Sequence, residues 1–143
     1  MVDVDVVTAK LAELARRIAR VRSNVRSTKE QLAADLDALE LVSFNLMLAV
    51  QTCVDVASHV IADEGLAPAP TIADSFRRLA EHGVISSATA AALARAGAFR
   101  NVVAHGYATI DVAAVHAAST AGVVDLESFQ REVAGWLTGR SRG

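Results

Sequence analysis

Four side chains able to do chemistry fall within eight residues of an otherwise alanine- and valine-rich stretch: Arg100, Asn101, His105 and Tyr107. On a helix, Asn101 and His105 stand one turn apart, about 40° around the axis, on one flank of a core side made by Phe99, Val102 and Val103. Arg100 lies on the other flank. Gly106 is placed to end that helix, which puts the imidazole in the closing turn, where the helix dipole favours the protonated ring. A histidine poised near neutrality serves as general acid or base. A guanidinium offers a planar fork for a phosphate, an amide can orient either group, and the tyrosine adds a hydroxyl. These parts suit cleavage of RNA without a metal. One group takes the proton of a ribose 2′-OH, another protonates the leaving 5′-oxygen, and a cation steadies the charge on phosphorus oxygens. Two acid–base groups are wanted and the motif has one histidine, so a two-fold dimer would complete the site. The same spacing also fits a histidine and an arginine that merely bond carbonyls at a helix end.

The elements that must hold this segment read as helices throughout. Val7, Leu11, Leu14, Ile18, Val21 and Val25 recur at 4-3 spacing and form a narrow stripe, with Arg16, Arg17 and Arg20 pointing away from it and Arg22 and Arg26 at its edge. Ser27 or Thr28 caps a second helix, with Glu30 and Gln31 where a capping box wants them. Its stripe (Leu32, Leu36, Leu39, Ser43, Leu46, Val50, Cys53, Ala57, Val60) predicts one helix to about Asp63, apolar on nearly every side around Leu41–Val56 and therefore central, with Gly65 as its cap. After the linker Leu66–Pro70, Thr71 caps a helix over Ile72–His82 that Gly83 closes. Ser86 or Ser87 starts the next, reaching about His105, with Gly97 a point where it could break. Thr109 or Asp111 opens a last region, interrupted near Gly122 and ending in a helix over Asp125–Leu137. The tail Gly139–Gly143 is expected to fray. No strand or hairpin signal competes. The expected fold is all-α, an up-and-down bundle of four to six helices in one domain over 1–143.

The chain has 143 residues, 52% of them hydrophobic, enough for a core without staples. A single cysteine, Cys53, excludes a disulfide framework and a multi-cysteine zinc site. Aromatic residues are 4%, too few for a stacking platform along single-stranded nucleic acid. The net charge is −2, yet residues 10–29 hold seven of the 14 Lys and Arg against the single acid Glu13. That strip suits a polyanion, with Arg16, Arg17 and Arg20 as RNA contacts, or equally a solvated helix face. The acidic N-terminus lacks the basic start of a signal peptide. Leu41–Ile61 carries Asn45, Gln51, Asp55 and His59, costly in a lone membrane span. The chain therefore reads as cytoplasmic, with no membrane partner and no cofactor.

Other polar residues read more plainly. Gln51, Asp55 and His59 share one face of the central helix. Asp55 either holds Arg100 or His105 from behind or belongs to an internal network that sets helix register. Asp55 and His59 lack a third ligand for a metal. His82 beside Gly83 suits a helix end, His116 has no evident partner, and Cys53 suits a small core position.

Arg100-Asn101-x3-His105-x-Tyr107 resembles the RN-x3-H-x-Y signature of the HEPN superfamily. The runs AVQTCVDVASHVI (49–61), TIADSFRRLAEHGVIS (71–86) and AGAFRNVVAHGYATID (96–111) are similar in order and spacing to HepT-like toxins, so the resemblance covers nearly the whole chain. It implies a HEPN-like helical bundle and a homodimer with the motif at the dimer cleft. It implies a metal-independent endoribonuclease, the toxin of a type VII-like toxin–antitoxin pair whose antitoxin is a minimal nucleotidyltransferase (MNT). By the same resemblance Arg100 and His105 are catalytic, Asn101 supports them, and Tyr107 is the residue that the antitoxin adenylylates. The motif kept only as a modification target, on a non-catalytic module that binds the nucleotidyltransferase or a nucleotide, is the alternative. One departure is Ala98, where the family often has glycine; here the glycine is Gly97.

Overall fold

The computed structural model of the protein describes the backbone of residues 2–105 and 110–141 and the side chains of residues 2–97 and 110–140. Among them there is no strand. The elements are α1 (Val4–Arg22), α2 (Lys29–Ala33), α3 (Leu36–Asp63), α4 (Ile72–Glu81), α5 (Ser87–His105), α6 (Val112–Ala117), a π-helical segment (Ala118–Gly122) and α7 (Val123–Ser141). The last three follow one another without a break, so the described residues form six helical runs, the bundle that the periodicity predicts.

The stripe on α1 is real from Val7 to Val21, every member buried. Val25 is not part of it. The helix ends at Arg22 and Val25 is exposed. The long second helix is also divided. Thr28 caps α2 by accepting from Gln31 N, and Gln31 Oε1 accepts from Ser27 N. Asp35 then starts α3, its carboxylate accepting from Ala38 N at 3.1 Å and pairing with Arg26 at 2.9 Å. The break at Ala34–Asp35 turns Leu36, counted in the stripe, out to solvent, and leaves Leu32 fully buried. An aspartate inside a helical pattern is ambiguous, because it caps a helix as readily as it rides on one.

α3 is the hub. It packs against α1, α4, α5 and α7, and Val42, Leu46, Val50, Cys53, Val56 and Val60 lie in the core. By length and hydropathy it could cross a membrane, but its buried face is the centre of this bundle. Burial pushes the Cys53 thiol far up from its ordinary pKa, so the thiol stays neutral. α3 and α4 both end in Schellman geometry. Gly65 (φ 66°) and Gly83 (φ 79°) adopt the left-handed conformation, with Leu66 N donating to Ile61 O and Val84 N to Leu79 O.

Glu64, at the end of α3, is nearly buried and pairs with Arg140 of α7 at 2.8 Å and with His82 at the end of α4 at 3.3 Å. Arg140 also stacks on Trp136, 4.8 Å from the ring centre. The tail does not fray at Gly139 as expected, because this contact carries α7 through to Ser141. His82 thus binds a side chain of another helix, and His116 finds the carbonyl of Arg26 at 2.9 Å.

Candidate active site

α5 carries the motif, and three neighbours fix it. At its start Ser86 Oγ accepts from Thr89 N, while Glu132 of α7 accepts from Ser86 N at 2.6 Å and from Thr89 Oγ1 at 2.5 Å. Burial pushes the Glu132 pKa up, but the bonds from Thr89 and Ser86 outweigh it and hold the carboxyl below its ordinary value. A depressed carboxyl stabilises the fold above its unfolded-state pKa, and that stabilisation fades as pH falls through the folded-state value. Glu132→Gln is therefore expected to lower stability at pH 7 by on the order of 1–2 kcal/mol. The gap to wild type should narrow below about pH 4, read by urea unfolding at both pH values. A gap of equal size at pH 7 and pH 3 would contradict it.

In its middle α5 passes α4 closely. A Cβ added at Gly97 would sit 3.1 Å from Ile72 Cγ2. Gly97 is where α4 and α5 touch, and the helix runs through it without a break. α5 lies antiparallel to α3: His82, just before it begins, meets Glu64 at the end of α3, while Leu93 and Ala96 share a cavity with Leu46 and Val50. Its last turns therefore lie level with the first half of α3.

The backbone of Arg100, Asn101 and His105 is helical, and α5 is described as far as His105; the expected helix end at Gly106 lies outside the described residues. The side chains of these three residues, and all of Tyr107, lie outside the described residues. A cavity of about 430 Å³ opens between α3, α5 and the run from α6 to α7. Its walls are Leu46, Val50, Leu93, Ala96, Ala118 and Leu126, with Arg95, Asp111 and Asp125 also in its lining. The π-helical segment shapes one wall, where the hydroxyls of Ser119 and Thr120 both donate to His116 O. Gly122 forecast an interruption there but not its π form.

Asp55 takes a bond from Gln51 at 2.9 Å and pairs with Lys10 of α1 at 3.6 Å. Those contacts fit the register-setting network; any contact with Arg100 or His105 falls outside the described side chains. Among the described residues no group of three metal-binding side chains gathers.

The basic strip is dispersed. Arg16 and Arg20 are exposed. Arg17 donates to Asn45 Oδ1 at 3.2 Å and lies 3.9 Å from Glu13, Arg22 pairs with Glu127 of α7, and Arg26 is taken by Asp35. The groove along Arg16, Arg17 and Arg20 has a second wall on α3, built from Asp37, Glu40, Leu41, Phe44 and Asn45. Composition cannot reveal this, since the opposing acids come from a helix about twenty residues further on.

Solved structures of the same shape include a HEPN toxin. A tri-AMPylated Shewanella oneidensis HEPN toxin in complex with an MNT antitoxin superposes with a TM-score of 0.82 at 24% identity, covering 94% of this chain and 99% of that one. A toxin–antitoxin complex with AMP-PNP gives 0.83 at 23% identity, covering 92% and 98%. YutE of Bacillus subtilis, a cytosolic protein of unknown function, gives 0.84 at 14% identity, covering 97% and 93%. The fold is thus the HEPN helical bundle. The family model described as ribonuclease HepT-like matches residues 14–133, and the chain belongs to that family. The mRNA nuclease HepT of Shewanella oneidensis is 28% identical over 82 residues, a stretch that is 57% of this chain and 61% of that protein's length.

Proposed function

We propose that this chain is a metal-independent endoribonuclease, the cytoplasmic toxin of a HEPN/MNT pair, acting as a homodimer of one-domain subunits and silenced by nucleotidylation of Tyr107. The observation that carries the reading is the position of Arg100, Asn101 and His105 in the last two turns of α5, inside a stretch that matches the HepT-like family. One motif's base removes the 2′-OH proton, and the oxygen attacks phosphorus. The P–O5′ bond breaks with the imidazolium of the second motif protonating the departing oxygen, and a cyclic 2′,3′-phosphate remains. Arg100 steadies the charge on the phosphorus oxygens, and Asn101 orients the imidazole or the phosphate. A nucleotide on Tyr107 would fill the cleft and add negative charge where phosphate must bind. Asp55 is kept as a supporting residue behind the motif. An RNA path over Arg16, Arg17 and Arg20 has only the exposure of Arg16 and Arg20 in its favour, since Asp37 and Glu40 face them.

Incubation of the purified protein with total RNA in EDTA is expected to yield cyclic 2′,3′-phosphate ends. Intact RNA from an unmodified dimer would instead favour a module that binds the nucleotidyltransferase without cutting. Co-expression with a cognate MNT-type antitoxin is expected to add the mass of one or more nucleotidyl groups, and Tyr107→Phe to abolish that gain. Label retained in the variant would move the site elsewhere.

A further inference from the structure

Between α5 and the run from α6 to α7 the described residues leave a space unfilled. The cavity of about 430 Å³ has a floor of Leu46, Val50, Leu93 and Leu126, each 3% exposed or less. Its facing walls are small: Ala92 and Ala96 on α5, Ala118 and Gly122 on the π-helical segment. Close-packed interiors rarely leave such a volume, and its size is that of a small-molecule pocket. The walls stand apart for a local reason. A π turn carries more residues than an α turn and pushes the chain outward, a form found mostly at functional sites. A Cβ added at Gly122 would meet nothing nearer than Ala118 Cβ at 3.5 Å, so crowding does not demand the glycine. The small residues leave room for something else.

The charges in its lining say what. Asp111 caps α6, one carboxylate oxygen accepting from Ala114 N at 3.2 Å, and the other oxygen has no partner among the described residues. Asp125 is half-buried, and its carboxylate has no partner among them either. Both side chains are short, so they stay where the backbone sets them. Arg95 is long and exposed and is paired with neither, free to swing clear. The stationary charge is therefore negative. An anionic head group would meet two carboxylates there. An ammonium brings three donors and no acceptor, the match for two acids above an apolar floor.

We propose that this cavity binds a small amphipathic cation, its apolar body on Leu46, Val50, Leu93 and Leu126 and its amine donating to Asp111 and Asp125. The floor, the walls and the acids are in place before the ligand arrives, which keeps the cost of ordering low. The site is separate from the motif. Asn101 and His105 follow Ala92 and Ala96 by nine residues each, about two and a half turns of a continuous helix, and so stand on the opposite side of α5. The ligand does not compete with RNA. It bears on the back of the helix that carries the motif and favours the position of α5 that suits an open wedge. That consequence rests on the nuclease reading above; the binding does not.

Tryptamine, an indole with an ammonium arm, is the probe, and indolepropionate, the same ring with a carboxylate, is its control. Calorimetric titration of the full chain at neutral pH is expected to show saturable binding of tryptamine, and affinity for the acid lower by about tenfold or more. Asp125→Asn should weaken tryptamine by roughly tenfold and narrow the gap between the two probes. Asp37→Asn, an exposed acid outside the cavity, should change nothing. Ala118→Leu should exclude both probes, and Ala96→Leu should do the same from the opposite wall; a variant is scored when its circular dichroism matches wild type. Absence of saturable tryptamine binding, equal affinity for the acid, or an Asp125→Asn protein that binds as wild type does overturns the proposal. Saturating tryptamine is expected to change the rate of RNA cleavage in wild type and not, at the same concentration, in Asp125→Asn. An unchanged wild-type rate removes the link to the motif and leaves the site standing. A protein that binds tryptamine yet cuts no RNA defeats the nuclease reading and not the site.

Discussion

On the nuclease reading proposed above, His105→Ala is expected to lower the rate of RNA cleavage by about 10²–10⁴-fold, the usual worth of one positioned acid–base group. The prediction follows from what that end of α5 offers. Within the motif, only His105 can exchange a proton near neutral pH; Arg100 stays charged and Asn101 does not titrate. The variant should keep its fold, because it leaves the buried residues described on α5, Ala90, Ala92 and Leu93, untouched. A mixed dimer with one His105→Ala subunit discriminates further. If the two imidazoles share one phosphate as base and acid, a single substitution disables the whole dimer. If each motif works alone, half the activity survives. Rates from a tandem-linked dimer read this directly, and full activity in the doubly substituted protein would refute the catalytic role.

How far the chain itself revealed this arrangement depends on where the controlling interaction sits. Caps at Thr28, Thr71 and Asp111 and the glycines 65 and 83 were legible because each acts on its own neighbours. The α1 stripe was legible because one side of that helix meets one core. The break at Ala34–Asp35 was not, since Asp35 gains from Arg26 as well as from its cap, and Arg26 reaches it from across a turn. The hold of Glu132 on the start of α5, and of Glu64 on Arg140, join residues 43 to 76 positions apart, beyond any periodic pattern. The reactive motif was legible as a pattern. The setting of the basic strip was not legible, because the acids Asp37 and Glu40 beside it are contributed by another helix. The buried face of α3 was also hard to read: where a helix is apolar nearly all round, period cannot say which stripe the core takes.

The frame that holds α5 makes the second large prediction. Phe76 of α4 and Phe129 of α7 are both fully buried and meet edge to face, their ring centres 5.9 Å apart at 86°. Among the described residues they are the largest fully buried side chains, and they come from the two helices that grip α5: α4 at Gly97, α7 at Ser86 and Thr89. Truncating either leaves a cavity that close-packed neighbours refill only partly. Phe129→Ala is expected to cost about 3–5 kcal/mol in urea unfolding, a large share of the roughly 5–15 kcal/mol a domain commands. Phe44→Ala should cost under about 0.5 kcal/mol in the monomer, because that ring faces outward. The double substitution Phe76→Ala, Phe129→Ala should cost less than the two single losses together, by about 0.5–1.5 kcal/mol, since the first already removes the edge-to-face contact. A Phe129→Ala loss below about 1 kcal/mol would mean that α7 repacks freely. In that event the grip of Glu132 on α5 could not be rigid, and the reactive end of that helix would need some other support.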